Sequence, residues 1–270
     1  MFDPDLAFSI TNARVRNDRQ RFVGFDDVVE VAHMDARFAE HARHLLVDLG
    51  DDDPSRLHRC ALVAARNAQR AIALIVEYCA SLIEDGSTIQ AGIGKLPNAV
   101  LDALSDKKDL GVHSELFTTK MMELAERGII NASKKTLHKG INVATVLEGT
   151  KELYDWAHDN PSVQLFPVEY VNDPGIIAKN DKLVSINSCI EVDLFGQVAA
   201  ESFGYKQATG AGGQVDFVRG ATMSKDGKSI IVINSTAARG TVSKIKLFLS
   251  PGSIVTTPRN ETQFIVTEYG

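Results

Sequence analysis

The sequence has few cysteines and no long apolar run, and these shortages exclude several classes of protein. Its three cysteines, Cys60, Cys79 and Cys189, form no CxxC pair among 270 residues, so neither a disulfide framework nor a zinc ribbon is indicated. No stretch approaches the roughly 18 uninterrupted apolar residues of a membrane-spanning helix. The N-terminus also lacks the basic and apolar regions of a secretory signal. We therefore expect a protein of the reducing cytoplasm without a membrane-spanning segment.

Positive charge and nucleotide-binding motifs are also lacking. The formal net charge of −6 removes the electrostatic attraction on which non-specific nucleic-acid binding depends. A GxGxxG fingerprint would need glycine where Pro97 stands, and GxxxxGK[ST], HExxH and GxSxG do not occur. The closely spaced His41 and His44 fit surface positions on a charged helix better than a metal site. We expect no nucleic-acid partner and no metal.

Basic residues divide the chain into two regions. The first 70 residues contain ten arginines and no lysine, whereas residues 71–270 contain four arginines and fifteen lysines. The first region, residues 1–70, is predicted to be mainly helical, with a polar strand or hairpin over 8–25 and a helix over 26–49. A second helix is predicted to begin after Pro54 and to run toward Glu84.

After Gly86 the pattern alternates between short apolar strands, glycine turns and helices. Residues 87–91 predict a strand, 92–96 a tight loop, and Pro97 the first turn of a helix. This alternation predicts an α/β fold, a mostly parallel sheet with helices on both faces, preceded by the mainly helical N-terminal segment. Further strands are predicted over 110–113, 142–147, 163–168, 183–186, 230–233, 245–249 and 253–256, and helices over 118–127, 152–158 and 174–179.

Two glycine turns and one acid are candidates for chemistry. Glycine lets backbone N–H groups approach an oxyanion or a phosphate. The turn at residues 92–94 is equally consistent with a plain strand–helix turn, whereas the denser run over 210–217 favours a functional role. Glu115 is predicted to follow a strand, where α/β sheets bind ligands, although it could instead stabilise the next helix N-terminus. Four other acids have solvated or structural interpretations, namely Glu191, Asp193, Glu201 and Glu268.

Seven short motifs, taken together and in order, resemble the C-terminal catalytic lobe of the acetyl-CoA hydrolase/transferase family. The members of this family are class I CoA-transferases. Within that family the likeness is to the 4-hydroxybutyrate CoA-transferases. It covers about residues 70 to 270. The motifs are Ser81-Leu82-Ile83-Glu84-Asp85-Gly86, Gly92-Ile93-Gly94-Lys95-Leu96-Pro97, Gly111-Val112-His113-Ser114-Glu115, Val171-Asn172-Asp173-Pro174, Ser185-Ile186-Asn187-Ser188, Gly212-Gly213-Gln214-Val215-Asp216-Phe217 and Val266-Thr267-Glu268-Tyr269-Gly270.

The resemblance implies particular roles for these residues. Glu115 falls on the family's nucleophile, Asn172 lies beside the reacting carbonyl, and Gly213 supplies an oxyanion-binding N–H. Glu268 matches a further active-site acid. The positions implied to line the coenzyme A site are Gly92, Ile93, Gly94, Lys95, Leu96, Ile190, Thr209, Gly213 and Arg239.

The implied activity is a CoA-transferase that moves CoA between a short-chain acyl-CoA and a carboxylic acid through a glutamyl-CoA thioester. Coenzyme A then acts as co-substrate, with no permanently bound cofactor. The alternatives are an acyl-CoA hydrolase and a catalytically impaired CoA-binding fragment. Family members carry an N-terminal α/β lobe that residues 1–70 do not resemble. We therefore expect a homo-oligomer or a complex with a separate N-terminal-lobe protein.

Overall fold

The structure, a computed structural model, describes residues 54–270, with side chains from residue 66 onward except that of Arg239. Residues 63–270 form one compact unit. The hairpin and helix expected over 8–25 and 26–49, with His41 and His44, lie outside the described residues.

The helices are α1 (Pro54–Ser81), α2 (Lys95–Asp102), α3 (Thr119–Glu126), α4 (Lys151–Ala157), α5 (Val168–Val171), α6 (Pro174–Ile177) and α7 (Gln214–Met223), with 3₁₀ turns at Ala103–Asp106 and Ala238–Gly240. The strands are β1 (Thr88–Ala91), β2 (Gly111–Thr118), β3 (Asn142–Glu148), β4 (Val163–Leu165), β5 (Leu183–Ser188), β6 (Glu191–Asp193), β7 (Val198–Ala199), β8 (Ser202–Phe203), β9 (Lys206–Gln207), β10 (Lys228–Val232), β11 (Thr236–Ala237), β12 (Val242–Ser243), β13 (Ile245–Lys246) and β14 (Phe264–Val266).

Seven parallel strands form the central sheet, in the order β14-β10-β5-β1-β2-β3-β4. From the central strand β1 the chain moves outward through β2, β3 and β4, and then returns to the other side of β1 with β5, β10 and β14. The strand order therefore reverses between β1 and β5. In open α/β sheets the carboxyl ends of the strands at such a reversal flank a ligand-binding crevice. The predicted α/β class is confirmed.

Helices cover both faces of this sheet. Along β5, Val184 and Ile186 pack into a core that includes side chains of α1, α2, α3 and α4. Leu183 points the other way, into a cluster formed with α5, α6 and α7. This alternation with a period of two residues is what strands buried on both faces require.

Strand β2 is longer than predicted. It was expected to end at His113, but it continues to Thr118 and pairs with β3 at Phe117 and Leu147. The buried ring of Phe117 stacks on Trp156 at 5.7 Å between centroids, which anchors the extension. Glu115 consequently lies inside β2, with three strand residues still to follow.

The C-terminal part of the chain contains small accessory sheets. A three-stranded sheet has the order β13-β6-β7, and β8 pairs with β9 and β11 with β12. The strand predicted over 253–256 is wrong, because Ile254 and Val255 lie in an irregular segment with 47% and 40% of their surface exposed. Among the described residues, no helix has both the length and the apolarity needed to cross a membrane.

Candidate active site

Glu115 and Asn172 are in direct contact. The Glu115 side chain is partly buried on β2, and its Oε2 accepts a hydrogen bond of 2.9 Å from Nδ2 of Asn172. Oδ1 of Asn172 is buried without a hydrogen-bond partner among the described residues. The amide therefore holds one carboxylate oxygen of Glu115, and the other oxygen has no hydrogen-bond partner among the described residues.

Asn172 occupies a tight turn between two short helices. Its backbone N–H donates to the carbonyl of Val168, which closes α5. The next residue, Asp173, caps α6 by accepting a hydrogen bond from the N–H of Ile176 at 2.9 Å, and Pro174 fills the first turn. Such capping is favoured because the first N–H groups of a helix lack partners within it. The turn thus presents the Asn172 side chain at a fixed place.

Gly213 completes the cluster from the start of α7. It is buried, and a Cβ at this position would overlap with Oε2 of Glu115 and Nδ2 of Asn172. Glycine is therefore required for the present arrangement. A helix N-terminus carries unpaired N–H groups and a partial positive charge. A carboxylate beside it is suited to nucleophilic attack with stabilisation of a developing oxyanion.

The glycine turn after β1 lies one strand away. The pairing of β1 with β2, continued past the end of β1, places Gly92 level with Glu115. The N–H of Gly92 donates to the carbonyl of Ile186 at 2.9 Å. A Cβ on Gly92 would stand 2.7 Å from Oδ1 of Asn187. Glycine is required here because the neighbouring strand approaches so closely.

The rest of this turn leads into α2. Gly94 has a φ of 136°, in a region that side chains other than hydrogen disfavour. Ile93 and Lys95 are exposed, and Leu96 packs partly against the core. The turn therefore offers backbone and two exposed side chains at the carboxyl end of the central strand.

A buried polar network lies beneath the turn and joins β1 to β5. Nδ2 of Asn187 donates to Oε1 of Gln90 at 3.1 Å and to Oγ of Ser185 at 2.9 Å. Nε2 of Gln90 donates back to Oδ1 of Asn187 at 3.1 Å, and Oγ of Ser185 donates to Oε1 of Gln90 at 2.7 Å. The paired amides fix the two strands between which the sheet order reverses.

Among the described residues, no hydrogen bond joins the other predicted site residues to Glu115, Asn172 or Gly213. Glu268 follows β14, four strands from β2, and its carboxylate accepts hydrogen bonds from the N–H and hydroxyl of Ser235 at 2.8 and 2.5 Å. Ile190 is partly buried between β5 and β6, and Thr209 is exposed. Arg239 lies in the second 3₁₀ turn, and its side chain is outside the described part of the chain. Their assigned roles stay predictions.

Asp216 is an acid to which sequence reasoning gave no role. It lies in the first turn of α7, three residues after Gly213. Burial raises its pKa, Arg219 opposes that rise, and the carboxylates of Glu115 and Asp173 add to it. Its presence within the glycine-rich motif is the only sequence signal that could have identified it.

Lys135 is buried beneath β2 and bonds only to backbone carbonyls in the described structure. Its Nζ donates to the carbonyls of Val112 and Ile141, each at 2.8 Å, and the residue is 3% exposed. A Cβ on Gly111 would meet the Lys135 stem at 2.5 Å. Burial lowers the pKa of the ammonium group to about 7.

The contribution of Lys135 to stability should therefore rise with pH above neutrality. The unfolded chain keeps the Lys135 proton up to a pKa of about 10.4, while the folded chain releases it near 7, so raising the pH from 7 to 9 favours the folded state by about 2 kcal/mol. Urea unfolding of the wild type and of Lys135→Met at both pH values measures this gain as the difference between the two proteins. The comparison is needed because burial raises the pKa of the Cys79 and Cys189 thiols to about 12, which lowers the stability of both proteins over this range. The Lys135→Met variant, which keeps the apolar stem, should lose the gain. An equal pH dependence in that variant would contradict the assignment.

Solved structures place this fold among the CoA-transferases. The 4-hydroxybutyrate CoA-transferase from Porphyromonas gingivalis is 48% identical in sequence and superposes with a TM-score of 0.65. The match covers 74% of this chain and 46% of that protein.

Sequence relatives give the family. Residues 149–270 match the family model of the acetyl-CoA hydrolase/transferase C-terminal domain. The 4-hydroxybutyrate coenzyme A transferase of Clostridium kluyveri is 50% identical over 258 residues, which is 96% of this chain and 56% of that protein. The succinyl-CoA:cyclohexane-1-carboxylate CoA transferase of Geobacter metallireducens is 49% identical over 193 residues, 72% of this chain and 44% of that protein. The chain belongs to the acetyl-CoA hydrolase/transferase family, which confirms the resemblance.

The chain spans about half the length of these relatives. The alignment of 258 residues with the Clostridium kluyveri protein is longer than residues 71–270, so it reaches into the first 70 residues, where no likeness was expected. The domain boundary near residue 70 stays a prediction.

Proposed function

We propose that this chain provides the catalytic lobe of a CoA-transferase acting on a short-chain acyl-CoA and a carboxylic acid of the 4-hydroxybutyrate, acetate or butyrate type. The observation that carries the proposal is the convergence of Glu115, the Asn172 amide and the Gly213 backbone. A carboxylate beside a helix N-terminus and an amide donor suits acyl transfer without a metal or redox group.

Glu115 acts as the nucleophile in this proposal. Its free carboxylate oxygen attacks the thioester carbonyl, the C–S bond breaks, and CoA thiolate leaves a mixed anhydride behind. The thiolate then attacks the glutamyl carbonyl, which forms glutamyl-CoA and releases the first carboxylate. The incoming carboxylate reverses both steps. No net proton is transferred, and covalent catalysis divides one difficult exchange into easier steps.

Each attack generates a tetrahedral oxyanion that needs a donor. The Gly213 N–H and the Asn172 amide are the candidates, and one well-placed donor lowers the barrier by about 2.7–4 kcal/mol. Asn172 already bonds Glu115 in the resting state, so this contact also orients the nucleophile before substrate arrives.

Coenzyme A enters as co-substrate, and we propose no resident cofactor. The turn over residues 92–96, with Ile190, Thr209 and Arg239, is proposed to contact it, and Glu268 to serve as a further acid of the site. Contacts with remote parts of CoA supply binding energy that orients the thioester.

We further propose a cytoplasmic protein that acts as a homo-oligomer or with a separate N-terminal-lobe protein. Exposed apolar side chains on the C-terminal part support an association. Phe195 and Phe248 stack at 5.1 Å while 44% and 63% exposed, and Leu194 and Leu247 beside them are also exposed. Contiguous apolar surface of this kind usually marks an interaction site.

An exchange assay tests the proposed activity. Incubation of the chain with butyryl-CoA and radiolabelled acetate should yield labelled acetyl-CoA and butyrate in equal amounts, with light scattering of the same sample reporting its oligomeric state. Free CoA without labelled acetyl-CoA would identify a hydrolase. Hydrolysis is the second candidate because Glu115 is partly exposed, and water that reaches the anhydride hydrolyses it. Binding of CoA with neither product would identify an impaired fragment.

A further inference from the structure

His113 is fully buried on β2, two residues before Glu115. Because successive side chains of a strand alternate between faces, His113 and Glu115 lie on the same face of the sheet. Nε2 of His113 lies 2.9 Å from the carbonyl oxygen of Val171. The imidazole therefore connects the strand that carries Glu115 to the helix that precedes Asn172.

These contacts close a ring. Val171 is joined by one peptide bond to Asn172, and Asn172 donates to Oε2 of Glu115 at 2.9 Å. The path from Glu115 back along β2 to His113, across to Val171 and on through Asn172 returns to Glu115. Two side-chain hydrogen bonds thus fix the segment that contains Val171 and Asn172 against strand β2.

The hydrogen bond to Val171 determines which nitrogen of the His113 imidazole carries a hydrogen. A carbonyl oxygen only accepts, so Nε2 carries the hydrogen. Nδ1 is buried and has no hydrogen-bond partner in the described part of the chain. Burial, with a smaller contribution from the Lys135 charge, lowers the pKa of His113 to about 4. The imidazole of His113 is therefore neutral at physiological pH.

Stability alone does not explain a histidine here. A buried nitrogen without a partner disfavours folding, and an apolar side chain would avoid that cost. Helix α5 has only four residues, and a single turn does not hold its place without tertiary contacts. Among the described residues its other side-chain hydrogen bond is the 2.7 Å contact between Tyr170 and His138, and the buried Val171 packs into the apolar cluster formed with α6 and α7. The His113 bond is the one adjacent to Asn172.

We infer that His113 is a positioning residue, which holds the Asn172 amide against Oε2 of Glu115 and so leaves the other oxygen of Glu115 free for attack. The inference rests on the proposed function, in which Glu115 is the nucleophile. Without the His113 donor the segment that carries Asn172 shifts, and displacement of about 1 Å at a reacting group costs on the order of 10²-fold in rate.

Four variants test this role. His113→Leu removes the donor, His113→Asn keeps an amide too short to reach Val171, and His113→Gln keeps an N–H at the reach of Nε2. Val143→Ala is the matched control, because Val143 pairs with His113 across the sheet and is equally buried. For each variant we would measure kcat, KM for acyl-CoA, the unfolding temperature and the rate of CoA addition to Glu115.

The leucine and asparagine variants should lower kcat and the rate of CoA addition by about 10- to 100-fold with KM within about twofold, and glutamine should restore most of the rate. Val143→Ala should lose stability without this loss of kcat. If the leucine variant does not fold, the asparagine and glutamine pair decides. Equal kcat in those two, or an equal kcat loss in Val143→Ala, would overturn the inference.

Nitrogen NMR of wild-type His113 separates this inference from the proposed function. A neutral imidazole protonated at Nε2 supports the hydrogen bond from His113 to Val171, whether or not the enzyme turns over. A ring protonated at Nδ1 overturns the inference. A wild-type chain that never adds CoA to Glu115 overturns the proposed function, and the tautomer then still tests the contact.

Discussion

The Glu115→Gln variant should exchange CoA at least about 10⁴-fold more slowly than the wild type, as loss of a covalent nucleophile does in other enzymes. Glutamine has the same shape and can still accept from Asn172, so the site should keep its geometry. An amide, however, is a far weaker nucleophile than a carboxylate. After incubation with acyl-CoA, mass spectrometry of the wild type should show the CoA mass on the peptide that contains Glu115, and the variant should lack it.

Glu123→Gln is the matched control for this experiment. Glu123 lies on the neighbouring helix α3 and makes an exposed ion pair with Lys120, and such pairs contribute little. This control should keep full exchange activity and the adduct on Glu115. CoA attached to another acid, or wild-type exchange by Glu115→Gln, would refute Glu115 as the nucleophile.

A single methyl group at position 213 should lower turnover by about 10²–10³-fold, the effect of losing one oxyanion donor. In Gly213→Ala the Cβ would overlap with the Glu115 carboxylate and the Asn172 amide, so both side chains must move away from the start of α7. Binding of CoA should change less, because the turn after β1 is unaltered. Steady-state kinetics and calorimetric titration with CoA measure the two effects separately.

Gly210→Ala provides the comparison for that variant. Gly210 belongs to the same glycine-rich run, but a Cβ there has no atom within 4 Å. The Gly210→Ala variant should turn over like the wild type. If Gly213→Ala also does so, Glu115 and Asn172 tolerate displacement and the contact at Gly213 is not needed for the reaction.

Local patterns were sufficient for most of the sheet. The short runs that predicted β1, β3 and β5 appear in the structure with nearly the expected bounds, because apolar and β-branched side chains are favoured in the strands of a buried sheet. The run at Ile254 and Val255 has the same composition, yet both side chains remain exposed. Composition alone does not distinguish a buried strand from an exposed apolar loop.

The candidate site was only partly predictable. The position of Glu115 after a predicted strand made it a candidate, and the glycine-rich composition indicated the two turns. The roles of Glu115, Asn172 and Gly213 came from the resemblance. The contact of His113 with Val171 joins residues 58 positions apart, and that of Gln90 with Asn187 joins residues 97 positions apart. No periodicity within one element encodes such contacts, since they depend on which strands become neighbours in the sheet.

The central position of β1 has a consequence for synthesis of the chain. Its partner β2 follows after a short interval, but Gln90 and its partner Ser185 on β5 are 95 residues apart. Ribosomes add about 5–20 residues per second, so one edge of β1 waits about 5–20 s for its neighbour. An unpaired strand edge is a template for pairing with other chains. The feature that places the glycine turn at the centre of the sheet therefore also makes the growing polypeptide vulnerable to aggregation until residue 188 has left the ribosome.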